Sequence, residues 1–347
     1  MGSIQRLSAV CATVALASVG ATACSSVLNP GGSEAITVYS NSLTDGRAEW
    51  LTEKANEAGF TLQLVDLGGG DVYNRLVAEK SNPVADVVFG LNDIYFQRLL
   101  AQDIVEPNTP SWSDKVDTSS VDPSETFWPI VREPIMLVCN TAAASKPTDW
   151  LDLWTKPEFD KRYEVPAALG GATTQVVLSS ILSRYADPNG KLGISDEGWS
   201  NVEQYFAHGS RAVEGTDLFA RMKNSEVDCG QMWLAGKKTR EKQYDIKSDA
   251  VRPPVGVPMV RQSIALIKGG KNPEKAKEFI DWFGAAEMQG AWSKEFGTAP
   301  TNKDAVPLGD PDVIEFTDSF QEQELDWGLI AENLDKWIEE IQLKYVK

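Results

Sequence analysis

Residues 166–178 read PAALGGATTQVVL, with two glycines and two threonines directly before an apolar helical run. Two kinds of chemistry fit that pattern. A Ser or Thr hydroxyl before a helix satisfies first-turn N–H groups that lack an intrahelical partner, which is plain capping. Alternatively, glycines that admit close approach, exposed N–H groups and the helix dipole make a cradle for phosphate or carboxylate. Thr173 and Thr174 serve either purpose, and the segment alone leaves both readings open.

Reaction chemistry has little support. The one histidine, His208, lies in YFAHGSR, which reads as a helix end where the dipole favours a cation. The chain has no Gly-x-Ser-x-Gly and no spaced set of metal ligands, and GATTQ lacks the Gly-Lys-Ser/Thr end of a phosphate-binding loop. The expectation is a binding protein without catalytic residues, metal or cofactor. A secreted hydrolase is the alternative from another class. Lys237, Lys238 and Arg240 cluster after Trp233 and read as a solvated helix face.

The 347 residues carry a formal charge of −17. An acidic chain is a poor partner for nucleic acid or for an anionic membrane surface. A small anion is still compatible, because donors in a cleft act locally. Residues 1–24 have one charge, Arg6, then an apolar stretch of small residues ending Ala-Thr-Ala-Cys. That is the layout of a secretory signal, too short and too rich in small residues for a good spanning helix. Its end resembles a bacterial lipoprotein signal, cut before Cys24 with lipid on the Cys24 thiol. An ordinary signal cut at Ala-x-Ala is the alternative. Residues 24–34 then read as a lipid-anchored tether. Cys11 leaves with the signal, so Cys139 and Cys229 remain as a possible disulfide in an exported protein.

The elements that must position these residues alternate in type. ITVYS, TLQLVDL and ADVVFG read as strands, with helices over GRAEWLTEKANEAGF and VYNRLVAEKSN between them. This predicts an α/β unit with a largely parallel sheet. A Pro- and Ser-rich stretch, roughly 107–125, interrupts it, and FWPIVREPIMLVCNT follows as extended chain. A second alternation runs from YEVPAAL through two helices and a third to EVDCGQMW. VPMVRQSIALIKGG is again extended, and 321–345 is a long amphipathic stretch. Two α/β lobes joined by two extended hinge segments enclose a cleft. Ligands bind beyond the carboxyl ends of such strands. The loops to watch are therefore YSNSLTDG, LGGGD, FGLND, ALGGATTQ, VEGTD and QMWLAGKK.

At this level the chain resembles the extracellular solute-binding proteins, family 1, of ATP-driven importers. The resemblance rests on ITVYS, RLVAEKSNPVADVVFG, PTDWLDLWTKPEF, IALIKGGKNPEKAKEFIDWF and GTAPTNKDA, in that family's order and spacing. It implies a type II periplasmic-binding fold, with lobe 1 over 35–131 and 256–305, lobe 2 over 132–255, and 306–347 as helices packing on lobe 2 and the hinge. It also implies a monomer that hands a small solute to permease subunits, here from a lipid anchor on the outer face of the cell membrane. By match, the ligand-contacting positions are Ser40, Asn41 and Ser42; Asp71; Asn92; Gly171, Ala172, Thr173 and Thr174; and Gln231 and Trp233.

Ferric-binding members carry adjacent tyrosines where this chain has GQMWLAGKK, and no Tyr-Tyr pair occurs anywhere in it. Direct iron coordination would fall to Tyr39, Tyr73 and Tyr95, which read more naturally as core or rim. The expected ligand is a phosphorylated organic anion, a sugar phosphate or a phosphonate, with a ferric-binding protein as the alternative. Asp71, Asn92, Glu214 or Asp217 would hold hydroxyls or an amine at its other end, and Trp233 or Tyr39 would stack on a ring.

Overall fold

Short apolar strands alternating with amphipathic helices account for most of the computed structural model, which describes residues 35–117 and 122–346. The expectations for residues 1–34, Cys24 included, lie outside the described residues. The first part of the chain runs β1 (Ile36–Ser40), α1 (Arg47–Glu57), β2 (Leu62–Asp66), α2 (Gly69–Ala78), β3 (Val87–Phe89), α3 (Asp93–Ala101) and β4 (Val105–Glu106). The middle comprises β5 (Trp128–Asn140), α4 (Asp152–Thr155), β6 (Glu164–Val165), α5 (Ala172–Ser183), β7 (Ala186–Lys191), α6 (Asp196–His208), β8 (Ser210–Arg211), α7 (Leu218–Lys223), β9 (Cys229–Trp233) and α8 (Leu234–Tyr244). The last part comprises β10 (Ser248–Ala250), β11 (Met259–Ile267), α9 (Pro273–Gly284), α10 (Ala286–Phe296), β12 (Ala299–Pro300), α11 (Pro311–Asp318) and α12 (Trp327–Lys344).

Burial explains the element types. All three residues of β3 are buried, as a central strand covered on both faces requires. Helix α1 buries Leu51 and Ala55, four apart on one face. Strands β1–β2 and β1–β3 pair in parallel, but β11 runs antiparallel to both β3 and β5. The sheet is therefore mixed rather than largely parallel. The departure comes from the two long extended segments: both join the sheets they connect, and they run in opposite directions.

Strand β5 ties the lobes together. Its first half pairs with β11, and its second half, from Ile135 to Asn140, pairs with β9 and β10. Cys139 and Cys229 are register partners on β5 and β9, and their sulfurs are bonded. The parallel pair β6–β8 joins this second sheet through a bridge between Tyr163 and Cys229. Helix α12 buries Ile330, Leu334, Trp337 and Ile341. It packs on α3 of the first lobe as well as on α5 and α6 of the second. An Arg98–Asp335 ion pair of 2.5 Å and a Trp337 Nε1–H bond of 3.0 Å to the Leu192 carbonyl pin it on the two sides.

Helix α3 goes beyond the sequence reading, which took FGLND as a loop only, whereas α8 is the helix expected after Trp233 and follows β9 directly. Asn92 is the cap that marks α3.

Candidate functional site

Four strand ends release the chain toward one cavity between the lobes, with a volume of about 200 Å³. Asn41, Ser42, Thr44 and Arg47 come from the segment after β1. Gly90 and Asn92 follow β3, Ala172 and Thr173 open α5, and Trp233 and Ala235 join β9 to α8. Glu133, Ile135, Val260 and Gln262, from the two hinge strands, form the rest of the lining with Trp292 and Thr298. Gly90 has φ +88, and a Cβ there would lie 2.8 Å from Ser42 Cβ and Oγ. Only glycine lets these two loops close on each other.

Helix α5 is not capped by the threonines of its own sequence. Its cap residue is Gly171, with no side-chain cap bond and no acidic residue in the first turn. The helix ladder begins with Gln175 N–H donating to the Gly171 carbonyl at 3.0 Å. Ala172 and Thr173 precede that bond, and both line the cavity. The first turn of α5, which carries the unpaired N–H donors and the positive end of the dipole, thus borders the cavity. Thr174 turns inward: it is buried and its Oγ1 accepts from Gln231 Nε2 at 2.7 Å.

The segment after β1 brings a formal cation. Gly46, at φ +85, turns the chain into α1, and Arg47 is the first helical residue. Its guanidinium lies 5.0 Å from the centre of the Phe296 ring and 3.6 Å from Asp45, with the side chain only 12% exposed. Burial pulls the Arg47 pKa down, while Glu133 and Asp45 act to raise it.

Glu133 is buried, and burial raises its pKa. Gln262 Nε2 donates to one carboxylate oxygen at 2.8 Å, and Ala235 N–H, in the first turn of α8, reaches the other at 3.4 Å. Ser42 Oγ donates to Gln262 Oε1 at 3.0 Å. A polar chain from Ser42 through Gln262 and Glu133 to α8 therefore crosses the site.

Of the residues expected from sequence, Asn41, Ser42, Asn92, Ala172, Thr173 and Trp233 line this cavity. Ser40 is fully buried behind it, its Oγ accepting from Ser42 N–H at 2.9 Å. Gly171 is the α5 cap and Gln231 holds Thr174. Asp71 is exposed in the first turn of α2, and Glu214 is exposed in a turn. Asp217 caps α7 and pairs with Arg240 at 2.7 Å. Tyr39, Tyr73 and Tyr95 belong to one hydrophobic cluster. Tyr39 donates to Glu79, and the Tyr95 hydroxyl donates to Gln175 at 2.6 Å. His208 ends α6 beside Asp160, and Lys237 and Lys238 pair with Glu241 and Asp310. Among the described residues, no three His, Cys, Asp or Glu side chains are grouped to hold a metal ion.

Arg47, Glu133, Gln262 and Trp292 were not singled out by the sequence. The available signal for Arg47 was its place just after the Asp-Gly turn of a strand-to-helix loop. Glu133 and Gln262 sit in extended apolar runs, where a lone polar residue in FWPIVREPIMLVCNT or VPMVRQSIALIKGG was the only mark.

Comparison with known proteins agrees with this arrangement. The family model described as bacterial extracellular solute-binding protein matches residues 41–290. A Sinorhizobium fredii protein named as a probable ABC transporter periplasmic-binding protein, y4fP, is 30% identical over 318 residues, covering 91% of this chain and 87% of its own. A Salmonella typhimurium protein with the provisional name 2-aminoethylphosphonate-binding periplasmic protein is 24% identical over 293 residues, covering 78% of this chain and 80% of its own. The ferric binding protein from Campylobacter jejuni superposes with a TM-score of 0.74 at 15% identity, over 89% of this chain and 98% of its own. With two lobes, two crossing strands and a cavity walled by strand ends, the chain belongs to the bacterial extracellular solute-binding proteins that serve ABC importers.

Proposed function

We propose that this protein captures a phosphorylated organic anion, a sugar phosphate or a phosphonate, and delivers it unchanged to an importer permease. One observation carries the reading: Arg47 and the uncapped start of α5 line a single cavity. A helix N-terminus and an arginine fork both match a phosphoryl group. The provisional name of the Salmonella relative points the same way. Direct ferric coordination finds less support, because Tyr39, Tyr73 and Tyr95 are buried and the first and last are already hydrogen-bonded. Export with a lipid on Cys24 is part of the same proposal and rests on the sequence of residues 1–24.

Thermal unfolding of the purified protein with sugar phosphates, phosphonates, inorganic phosphate and ferric citrate tests the reading. A ligand that binds only the native state adds about 2.7 kcal/mol of stability at a hundredfold excess over its dissociation constant. The expected result is a rise in Tm with a phosphorylated organic compound. A rise with ferric citrate alone, or with none of the compounds, overturns the proposal.

A further inference from the structure

We infer that Glu133 restricts the cargo to phosphorylated anions that also carry an amine, so that the site takes a zwitterion; this rests on the anion-binding reading above. Among the described residues, only two of the side chains lining the cavity are ionisable, Arg47 and Glu133. A cavity meant for a bare phosphoryl dianion gains nothing from a carboxylate in its wall, since like charges at short range in a partly dry site repel strongly.

Glu133 is held in place deliberately. Its hydrogen-bond partners are the Gln262 side chain and backbone N–H groups at the start of α8, and none is a cation. The positive charge that acts on it from the cavity wall is Arg47. A phosphoryl group that engages Arg47 competes with Glu133 for that charge, and a buried carboxylate short of a cation is costly. A ligand ammonium would restore the balance. Two further features of the wall suit an ammonium group. Trp233 and Trp292 both line the cavity, and indole faces attract cations. Asn41 lines it too, and its buried Oδ1 has no hydrogen-bond partner, leaving an acceptor for an N–H donor. The anionic end is then met by Arg47 and α5, and the cationic end by Glu133. The small volume calls for a short spacer between them.

Calorimetric titration of the purified protein with 2-aminoethylphosphonate and ethylphosphonate at about pH 9 tests this, because both phosphonates are then largely dianionic and the pair differs in the amine, which is still mostly protonated. The expected result is tighter binding of the amino compound, on the order of 30-fold. In Glu133→Gln the gap should narrow to about threefold or less, partly because ethylphosphonate binds better once the repelling charge is gone. Glu133→Asp, which keeps the charge, should retain most of the preference. Equal affinities in the wild type would overturn the proposal while leaving the anion reading standing. A preference that survives in a natively folded Glu133→Gln protein would overturn the role of Glu133. Binding of neither phosphonate would remove the anion reading and this inference with it. The wild-type comparison needs no variant, so the outcome does not hang on the folding of Glu133→Gln.

Discussion

Helices α1 and α5 both begin at the cavity, and they present positive potential in different ways. Helix α5 uses only its backbone: a glycine cap, small residues and no acidic side chain in the first turn. Helix α1 starts with Arg47, a full charge placed where the helix dipole disfavours a cation. That misplacement is compensated locally by the Phe296 ring and Asp45. A dipole wall is dilute and survives most side-chain changes. A guanidinium wall is strong, geometrically selective and concentrated in one residue. On the proposed anion reading, a site that combines them separates general attraction for anions from recognition of one anion's shape.

The wall formed by α5 and Trp233 depends on the second sheet for its rigidity, and the largest effect is expected there. Cys139 and Cys229 close a loop with a sequence separation of 90, four residues before Trp233. Closing a loop of that size is worth about 4.6 kcal/mol in the chain-entropy account. The double variant Cys139→Ser/Cys229→Ser, or reduction of the wild type, should lower unfolding stability by roughly that amount in a denaturant titration. If stability is unchanged, the second sheet owes little to the bond and the wall is stiffened by packing alone.

The guanidinium wall comes next. Arg47→Ala should weaken binding of a phosphorylated ligand by about 2 kcal/mol, roughly 30-fold, the range for a hydrogen bond to a charged group. Arg47→Lys keeps the charge but loses the planar fork, so it should fall between Ala and the wild type. Titration of the three proteins with one phosphonate gives the order. Equal affinity for Arg47→Ala and the wild type would assign the whole attraction to the α5 dipole.

The two walls were unequally legible in the sequence. The α5 start could be read because everything it needs is contiguous: Gly170, Gly171, Ala172, Thr173 and then an apolar helix. The strands could be read because β3 and the core of β5 are apolar on both faces, and the crossover between lobes followed from two extended runs. Arg47 and Glu133 were not readable in the same way. Each is one charged residue among many, and its role arises from tertiary placement. Arg47 depends on Phe296, about 250 residues along the chain by its numbering, and Glu133 on Gln262 and the start of α8. The acidic candidates of the sequence reading, Asp71, Glu214 and Asp217, sit in loops of the right composition. Asp71 and Glu214 are exposed, and Asp217 is engaged in capping α7 and pairing with Arg240. Loop composition shows where donors gather and says little about which charge faces inward.

The smallest effects separate the two threonines of the α5 start, which look equivalent in sequence. Thr173 lines the cavity, whereas the Thr174 hydroxyl is buried and accepts from Gln231 across to β9. Thr173→Ala should therefore cost ligand affinity, about 1 kcal/mol for one hydrogen bond, and leave stability within about 0.5 kcal/mol of the wild type. Thr174→Ala should do the reverse. It strands the Gln231 amide donor, whose Oε1 already lacks a partner, and should cost about 1–2 kcal/mol of stability. Thr174→Ser keeps the hydroxyl and should restore most of that loss. Titration and chemical unfolding of the single variants read the two quantities separately. If Thr174→Ala weakens binding as much as Thr173→Ala does, the α5 wall acts through a coupled pair of hydroxyls. Its contribution would then depend on side chains as much as the contribution of Arg47 does, and the contrast between a backbone wall and a side-chain wall would be lost.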